Sequence, residues 1–231
     1  MYPQSIQHLI ELFTKLPGVG PRQASRFAFF ILNPVRSKSR RHVGTADSQA
    51  NRTSNGVKQN LVDELIEALK EVREKVVFCS QCFRSMEVNG KNILCAFCAD
   101  SRRDPAAIAV VEKESDMQNL EKTGAFHGLY QVLGGTISTL DADSPKKIHL
   151  KELHGRVRTL LEKAGECEVV LATNPTTEGD TTALYIERIL APLKTQYPKL
   201  KISRLGRGLS LGSELEHVDE MTLKNALTNR K

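Results

Sequence analysis

Four cysteines in two closely spaced pairs constrain the fold of this chain more than any other feature of its sequence. Cys79 and Cys82 form one C-x-x-C pair, and Cys95 and Cys98 form a second pair after 12 intervening residues. Each pair predicts a tight turn that aims two thiolates at one point, so the two pairs together complete a tetrahedral all-sulfur site. Such a site has no open position for water, and it stabilises a segment too short to form a core alone. We therefore expect one structural Zn²⁺ per chain at these four cysteines.

The same cysteines leave one alternative open, which is two disulfides or four unrelated thiols. The chain begins MYPQSIQHLIELFTKL, without the basic segment and small-residue cleavage site of a secretory signal. No stretch approaches the roughly 18 consecutive apolar residues of a membrane helix. We therefore expect a cytoplasmic protein, in which disulfides are rare. The fifth cysteine, Cys167, stands alone before an apolar run and is expected to be a small buried side chain rather than a nucleophile.

The net charge of +6 is concentrated near the start of the chain. Residues 1–60 hold nine Lys and Arg residues against two acidic ones, whereas the other 171 residues hold 24 basic and 25 acidic residues. This asymmetry favours a polyanion, most often nucleic acid, as the partner of that end, although a solvated basic tail gives the same composition. The absence of Trp and an aromatic content of 5% argue against extensive base stacking.

A glycine turn between two short amphipathic helices is the candidate contact with nucleic acid. Apolar residues recur at helical spacing over residues 5–32 on both sides of the sequence LPGVGP, which no intact helix crosses. Gly18 and Gly20 let backbone N–H groups approach a phosphate, and the positive end of the following helix faces the same anion. Arg22 and Arg26 are four residues apart and share one face of that helix. The stretch LPGVGPRQASRFAFF resembles a helix-hairpin-helix motif, a module for sequence-neutral DNA binding, and a plain helical hairpin is the alternative.

The second half of the chain alternates apolar runs with helical patterns, which predicts a mixed α/β fold with a mostly parallel sheet. Candidate strands cover residues 107–111, 130–133, 168–173 and 200–205. Candidate helices lie near residues 115–123, 150–163 and 179–191, with a last short helix at 218–227. We expect six consecutive segments: an N-terminal helical hairpin at 1–32, a basic flexible insertion or linker at 33–60, an amphipathic helix at 61–76, a four-cysteine zinc ribbon at 77–104, an α/β domain at 105–203, and a C-terminal region with a helical tail at 204–231 that contacts another domain or subunit.

Polar residues at the ends of two candidate strands mark a second candidate site. Glu112 ends the first strand, and Asn174, Glu178 and Asp180 follow the third. The carboxyl ends of parallel strands are where α/β sheets place ligands and metals. This arrangement resembles the Toprim domain of topoisomerases, primases and some nucleases, which holds Mg²⁺ with a glutamate and an Asp-x-Asp. Here Asn174 and Thr176 replace the two aspartates, so Mg²⁺ binding is expected to be weak, and ordinary strand-end loops are the alternative.

The order of hairpin, four-cysteine ribbon and Toprim-like domain resembles the RecR family of bacterial recombination mediators along nearly the whole chain. The matching stretches are LPGVGPRQASRFAFF, KVVFCSQC, CAFCADSRRDPAAIAVVE, YQVLGGTISTLD, LATNPTTEGDTTALYI and RLGRGLSLGSELEHVDEMTL. The resemblance implies a non-enzymatic DNA clamp, commonly a homotetramer, that works with RecO, and in many bacteria RecF, to load RecA onto single-stranded DNA. It assigns the zinc to the four cysteines and the DNA contacts to Arg22 and Arg26 of the hairpin. It places the RecO contact in the region of Glu112 and the loop at 174–180.

Some alternatives stay open. The basic insertion at 33–60 is longer than the family connection expected there, and it is an inserted surface loop, a tolerated expansion or an arm that attracts phosphate. We favour the inserted loop, because surface insertions cost little stability. A Toprim-type, Mg²⁺-dependent nuclease or primase is the alternative to a mediator, and a zinc-ribbon adaptor that binds only proteins is a third hypothesis. Arg102 and Arg103 either touch DNA or pair with Asp100 and Asp104, which flank them.

Overall fold

The computed structural model describes residues 2–32, 61–88, 90, 93–210 and 212–230, and it divides into two compact units, Met1–Lys75 and Val76–Lys231. The α-helices are α1 (Gln4–Thr14), α2 (Pro21–Leu32), α3 (Leu61–Lys75), α4 (Ala96–Ala99), α5 (Glu114–Lys122), α6 (Leu150–Ala164), α7 (Thr177–Gln196) and α8 (Glu220–Thr228). The strands are β1 (Val76–Phe78), β2 (Ser85–Glu87), β3 (Asp104–Val111), β4 (Gly128–Val132), β5 (Cys167–Leu171) and β6 (Leu200–Arg204). The insertion predicted at 33–60 lies outside the described residues. The finer division into six segments stays a prediction.

The first unit is a hairpin of α1 and α2 followed by α3. Apolar side chains recur every three to four residues in α1 and α2, so each helix has one apolar side. Ala24 and Ala28 are fully buried in α2, where their small side chains let a neighbouring helix come close. The rings of Phe13 and Phe27 pack edge to face with their centroids 6.2 Å apart. The prediction of two short helices around a glycine turn is confirmed.

The second unit contains a sheet of four parallel strands in the order β4-β3-β5-β6. Helices α6 and α7 cover one face of the sheet, and their core includes Ile108, Val169 and Ile186. Helix α5 covers the other face, where Met117 and Tyr130 are buried. Strands buried on both faces need nearly continuous apolar runs, which is why these runs stood out in the sequence. The mixed α/β fold with a parallel sheet and a short C-terminal helix is confirmed.

Helix α7 differs most from its predicted limits of 179–191. It begins two residues earlier because Thr176 caps it, with the Thr176 hydroxyl accepting a hydrogen bond from the Gly179 N–H at 3.1 Å. It also continues through Pro192, the residue before which the predicted helix ended. Leu190 and Leu193 are both buried in the core while Pro192 is exposed, so packing holds the helix together across the missing backbone donor.

The cysteine segment folds as a small ribbon of β1 and β2 that docks against the edge of the sheet. The Val132 N–H of edge strand β4 donates to the Cys82 carbonyl at 2.8 Å. The backbone N–H and hydroxyl of Ser85 donate to the Glu114 carboxylate at 3.0 and 2.5 Å. The ribbon therefore supplies hydrogen-bond partners both to the sheet edge and to the first turn of α5.

Candidate nucleic-acid interface and metal centre

The turn between α1 and α2 presents unpaired backbone donors. Gly18 has a positive φ of 77°, which is favourable for glycine and strained for other residues. The Gly20 carbonyl accepts the first hydrogen bonds of α2, from the N–H groups of Gln23 and Ala24 at 3.0 and 2.9 Å. Within the described residues, the N–H groups of Gly18, Gly20 and Arg22 donate to no protein acceptor. Three free donors at the positive end of a 12-residue helix form a binding position for an anion.

The two arginines of the hairpin are placed beside these donors. Arg22 and Arg26 lie one turn apart at the start of α2, and both side chains are exposed. Neither has an acidic partner among the residues that the structure describes. Helix α2 also has no acidic residue in its first turn. The surface is therefore positively charged and unneutralised, as a contact with phosphate requires.

The four predicted zinc ligands lie together in the second unit. The Sγ atoms of Cys79, Cys82, Cys95 and Cys98 all lie within 4.8 Å of one another, and those of Cys82 and Cys95 are 3.5 Å apart. A tetrahedral site with metal–sulfur bonds of about 2.3 Å requires sulfur–sulfur edges of about 3.8 Å. The observed spacing fits a four-sulfur metal centre. The clustering of the four cysteines is thus confirmed.

Local backbone geometry makes the first cysteine pair converge. The Phe83 N–H donates to the Cys79 carbonyl at 3.0 Å, and the Cys79 N–H donates to the Arg84 carbonyl at 2.9 Å. Phe83 takes a positive φ of 61°, which is costly for a residue with a side chain. Its ring stacks on His149 of the α/β domain with the centroids 3.9 Å apart. That contact helps to offset the cost of the turn.

The crowding of the thiols explains why a cation fits this centre. The hydrogen bond with Cys95 and burial raise the pKa of Cys82, and the same hydrogen bond lowers the pKa of Cys95. Without a metal, Cys82 therefore tends to keep its proton and Cys95 tends to lose its proton. A divalent cation that displaces those protons would satisfy all four sulfurs at once. Four thiolates form a soft donor set, which suits Zn²⁺ and excludes Mg²⁺ and Ca²⁺ as natural occupants.

The structure brings Glu112 and Asn174 together at the carboxyl end of the sheet. Glu112 is 3% exposed, and its two carboxylate oxygens accept hydrogen bonds from the Asn174 backbone N–H at 2.8 Å and the Asn174 amide Nδ2 at 2.6 Å. The same Nδ2 lies 3.4 Å from the Asp116 carboxylate. Asn174 therefore acts as a hydrogen-bond donor to two acids. The sequence analysis considered Asn174 only as a replacement for a metal-binding aspartate.

The other two residues of this region face different partners. The Glu178 carboxylate accepts a hydrogen bond from the Thr136 hydroxyl at 3.0 Å. Asp180 pairs with Arg207, and Arg204 Nη1 lies 3.5 Å from its carboxylate. The hydrogen bond from Arg207 lowers the pKa of Asp180. Asp180 thus has two cationic neighbours, and in the described part of the chain neither Glu178 nor Asp180 forms a hydrogen bond or ion pair with Glu112.

Three basic residues with clear roles were missed by the sequence analysis. Arg204 at the end of β6 and Arg207 just after it both lie beside Asp180 at the start of α7, as described above. Arg156 donates to the carbonyls of Gln81 and Tyr130 at 3.2 and 2.7 Å, so it joins the ribbon to β4. No local pattern distinguishes these arginines from exposed ones. For Arg156 alone, the position between the buried residues Leu153 and Val157 could have indicated that the side chain faces inward.

The remaining predicted residues have simple surroundings. Arg102 forms a bidentate ion pair with Asp100 at 2.9 Å, and Arg103 pairs with Glu121. Cys167 is 2% exposed, and burial raises its pKa to about 11, as expected for an inert side chain. No helix in the described parts of the chain is long and apolar enough to cross a membrane.

Comparisons with known proteins match three regions of the chain: the N-terminal hairpin, the α/β region and the C-terminal region. Residues 6–41 match the family described as RecR, helix-hairpin-helix, residues 106–206 match the Toprim domain, and residues 208–231 match the family described as RecR, C-terminal. The chain is 39% identical over 230 residues to Recombination protein RecR of Cutibacterium acnes, covering 100% of this chain and 96% of that protein. It is 39% identical over 226 residues to Recombination protein RecR of Chlorobium chlorochromatii, covering 98% and 96%, and 35% identical over 231 residues to that of Mycobacterium leprae, covering 100% and 98%.

Proposed function

This chain belongs to the RecR family of recombination proteins, and we propose that it is a non-enzymatic mediator that binds DNA without sequence preference during recombinational repair. The observation that carries the proposal is the hairpin turn, where three unpaired N–H groups and two unpaired arginines share one surface. Backbone donors and guanidinium groups recognise phosphate, which every DNA sequence presents alike. The aromatic content of 5% supports backbone contacts rather than base stacking.

The assembly that we propose is an oligomeric clamp, most simply a homotetramer, with the hairpins facing the DNA. A few phosphate contacts per subunit bind weakly, whereas linked subunits raise the effective concentration of each site. Helix α3 supports subunit contacts because Leu65, Ile66, Leu69 and Val72 lie on one side of it and are 37–68% exposed. Apolar side chains grouped in this way usually mark a protein contact.

The metal that we propose for the four cysteines is Zn²⁺, one per chain, in a structural role. The four cysteines would hold it, and it would supply the cross-link that the ribbon's few buried side chains do not provide. Four protein ligands leave no position for water or substrate.

The partners that we propose are RecO, and RecF where it is present, acting in the cytoplasm to help RecA load onto single-stranded DNA. The proposed contact for RecO is the carboxyl end of the sheet, which comprises Glu112, Asn174, Glu178 and Asp180. Glu178 is the exposed acid of this set. Glu112 is buried and supports the loop from below, so it would act by positioning Asn174.

The enzymatic alternative is disfavoured by the chemistry of the same edge. A Toprim-type nuclease or primase needs carboxylates free to bind Mg²⁺. Here both oxygens of Glu112 accept hydrogen bonds from Asn174, and Asp180 is paired with Arg207. We expect no cleavage and no primer synthesis with Mg²⁺ or Mn²⁺. Activity that disappears in Glu112→Gln would instead support the enzyme.

The experiment that tests the DNA-binding surface is a salt titration of the double variant Arg22→Ala/Arg26→Ala. The slope of log affinity against log salt is negative. Each lost phosphate contact should reduce its magnitude by about 0.9 on duplex DNA and about 0.7 on single strands. The matched control is Arg188→Ala/Lys194→Ala, which removes two exposed basic residues from α7. Light scattering and zinc content should be the same for all three proteins.

The outcomes separate the hypotheses. A reduced slope in the hairpin variant alone supports the proposal, and unchanged affinity would exclude the hairpin as the contact surface. A tetramer-sized wild-type particle that retains closed circular DNA better than linear DNA supports the clamp. A monomer that does not associate with DNA would leave the protein-binding adaptor as the better hypothesis.

A further inference from the structure

One leucine of the α/β domain is almost completely exposed at the tip of a well-braced loop. Leu140 is 97% exposed, the highest value among the large apolar residues that the structure describes. The loop beneath it is fixed, because the Ser144 hydroxyl donates to the Asp141 carbonyl at 2.6 Å and the Ile137 N–H donates to the Thr182 hydroxyl at 2.8 Å. A leucine held in water by a closed loop buries no area within its own subunit. Such a side chain is suited to insertion into another surface.

The residues beside Leu140 are acidic. Asp141 and Asp143 follow it closely, and their carboxylates pair with Lys147 and Lys146, each at 2.7 Å. These ion pairs are exposed, so each contributes little stability and can be exchanged for an equivalent pair at small cost. The segment 139–143 therefore presents one large apolar side chain followed by two exchangeable carboxylates.

A groove of complementary character begins immediately after this loop. Its volume is about 640 Å³, and its apolar lining includes Ile148, Leu150, Tyr185 and Ile189. Tyr185 is partly open to solvent, whereas Ile148 and Leu150 form the buried floor. The volume is sufficient for a leucine side chain and its neighbours.

The rim of the groove is mostly basic, with Glu152 as an acidic member that lies 3.8 Å from His149, and it contains unpaired donors. Lys151 and His154 line it, and neither has an acidic partner among the described residues. Helix α6 begins at this rim with no side-chain cap, and the N–H groups of Lys151 and Glu152 donate to no acceptor in the described part of the chain. A carboxylate placed here would meet a free ammonium group and the positive end of a 15-residue helix.

We propose that the loop at 139–143 of one copy inserts into this groove of a second copy, and the second copy does the same in return. Leu140 fills the apolar floor, and the carboxylates of Asp141 and Asp143 face Lys151 and the start of α6. Because the loop and the groove adjoin in sequence and share the braced segment 138–147, a two-fold axis between them makes both contacts at once. The proposal deepens the oligomeric assembly of the proposed function by naming one of its interfaces.

The first test is Leu140→Ala, measured by light scattering across a range of protein concentrations. Losing a buried leucine weakens binding roughly tenfold or more, and two leucines contribute to each two-fold interface, so the dissociation constant should rise about 100-fold. The scattering mass should then fall by half where wild type is still assembled. Ile93→Ala is the matched control, because Ile93 is an exposed aliphatic residue at 64% that lies outside the loop, the groove and the C-terminal region.

The second test is disulfide trapping between chains of different size. A mixture of Leu140→Cys chains with Tyr185→Cys chains should give a cross-linked heterodimer on mild oxidation. A mixture of Leu140→Cys with Lys194→Cys should not, because Lys194 is exposed near the end of α7 and does not line the groove. Wild-type chains under the same oxidation give the background from native cysteines.

The results distinguish this interface from the rest of the proposed function. Halved mass in Leu140→Ala together with the specific cross-link supports it. An unchanged scattering mass together with no specific cross-link overturns the proposed interface. The same result is expected if the groove binds DNA, or an acidic segment of another protein. A wild-type oligomer that binds DNA while Leu140→Ala behaves identically refutes this interface alone. A monomeric wild type that binds no DNA refutes the clamp as well.

Discussion

Asn174→Asp is the substitution that most directly tests how the carboxylates at the carboxyl end of the sheet are stabilised. In wild type, the Asn174 Nδ2 donates to the Glu112 carboxylate at 2.6 Å and lies 3.4 Å from the Asp116 carboxylate. The substitution replaces this donor with an oxygen of nearly the same size. The hydrogen bond is lost, and a third acid enters a site where Glu112 is 3% exposed.

The expected destabilisation follows from two effects. Losing a hydrogen bond to a charged group costs about 2 kcal/mol. Two carboxylates whose charges are about 4 Å apart repel by about 4 kcal/mol at an effective dielectric constant of 20. Uptake of a shared proton relieves part of this repulsion. We therefore expect the free energy of unfolding to fall by about 3–5 kcal/mol at pH 7.

The loss of unfolding free energy in Asn174→Asp, called the deficit below, should depend on pH and on Mg²⁺. Repulsion raises the pKa of the introduced carboxyl group above its unfolded value near 4. A raised pKa in the folded state means that stability is retained at low pH and lost as pH rises through that value. The deficit should therefore be smaller at pH 5 than at pH 7. Three carboxylates at this spacing also suit Mg²⁺, and the ion at about ten times its dissociation constant would restore about 1.4 kcal/mol.

Urea unfolding at pH 5 and pH 7, with and without Mg²⁺, measures all three effects. Asn119→Asp is the control, because Asn119 is an exposed residue of α5, and its substitution should change stability by less than about 0.5 kcal/mol. If Asn174→Asp unfolds at the wild-type urea concentration at pH 7 without Mg²⁺, the Asn174 amide does not stabilise the neighbouring carboxylates and the reasoning fails.

Three further predictions use other parts of the structure. Gly179→Ala should destabilise by about 1–3 kcal/mol in urea unfolding, because its Cβ would lie 2.1 Å from the Asn174 carbonyl oxygen, whereas Gly155→Ala in the open middle of α6 should be neutral or stabilising. Chelation of the metal should make four thiols per chain reactive to a chromogenic thiol reagent, while Cys167 reacts only after unfolding; five reactive thiols in the folded, chelated protein would contradict this. The pKa of Asp180 is lowered mainly by its hydrogen bond from Arg207, so the contribution of this pair is present above the unfolded pKa and disappears as pH falls through the lower folded value. Hydrogen-exchange protection of the segment after β6, relative to the intrinsic exchange rate at each pH, should fall at acidic pH in wild type but show no such change in Asp180→Asn.

The sequence was sufficient for features that depend on local pattern or fixed spacing. The glycine turn, the paired cysteines and the buried strands each have a short signature, and each lies where that signature placed it. The proximity of Glu112 and Asn174 also followed, since adjacent parallel strands end at the same edge of a sheet. The donor role of the Asn174 amide did not follow, because it depends on where the Glu112 side chain points after packing. The pairing of Asp180 with Arg207 could not be predicted either, since 27 residues separate them and no local pattern joins them.

The ribbon and the sheet depend on each other through edge strand β4. A strand at the edge of a sheet has backbone groups without partners, and proteins must cover or disrupt them. Here the Cys82 carbonyl accepts the Val132 N–H, and Arg156 reaches from α6 to the Gln81 carbonyl of the same cysteine turn. Cys82 belongs to the four-sulfur cluster, so a metal bound there would hold the cysteine turn in shape and indirectly close the edge of the sheet. A metal bound by these four cysteines would therefore stabilise more than its own 20-residue segment. If the proposed structural metal is bound there, this coupling gives a physical reason for its place beside a Toprim domain in which Asn174 donates to the acidic residues at the carboxyl end of the sheet.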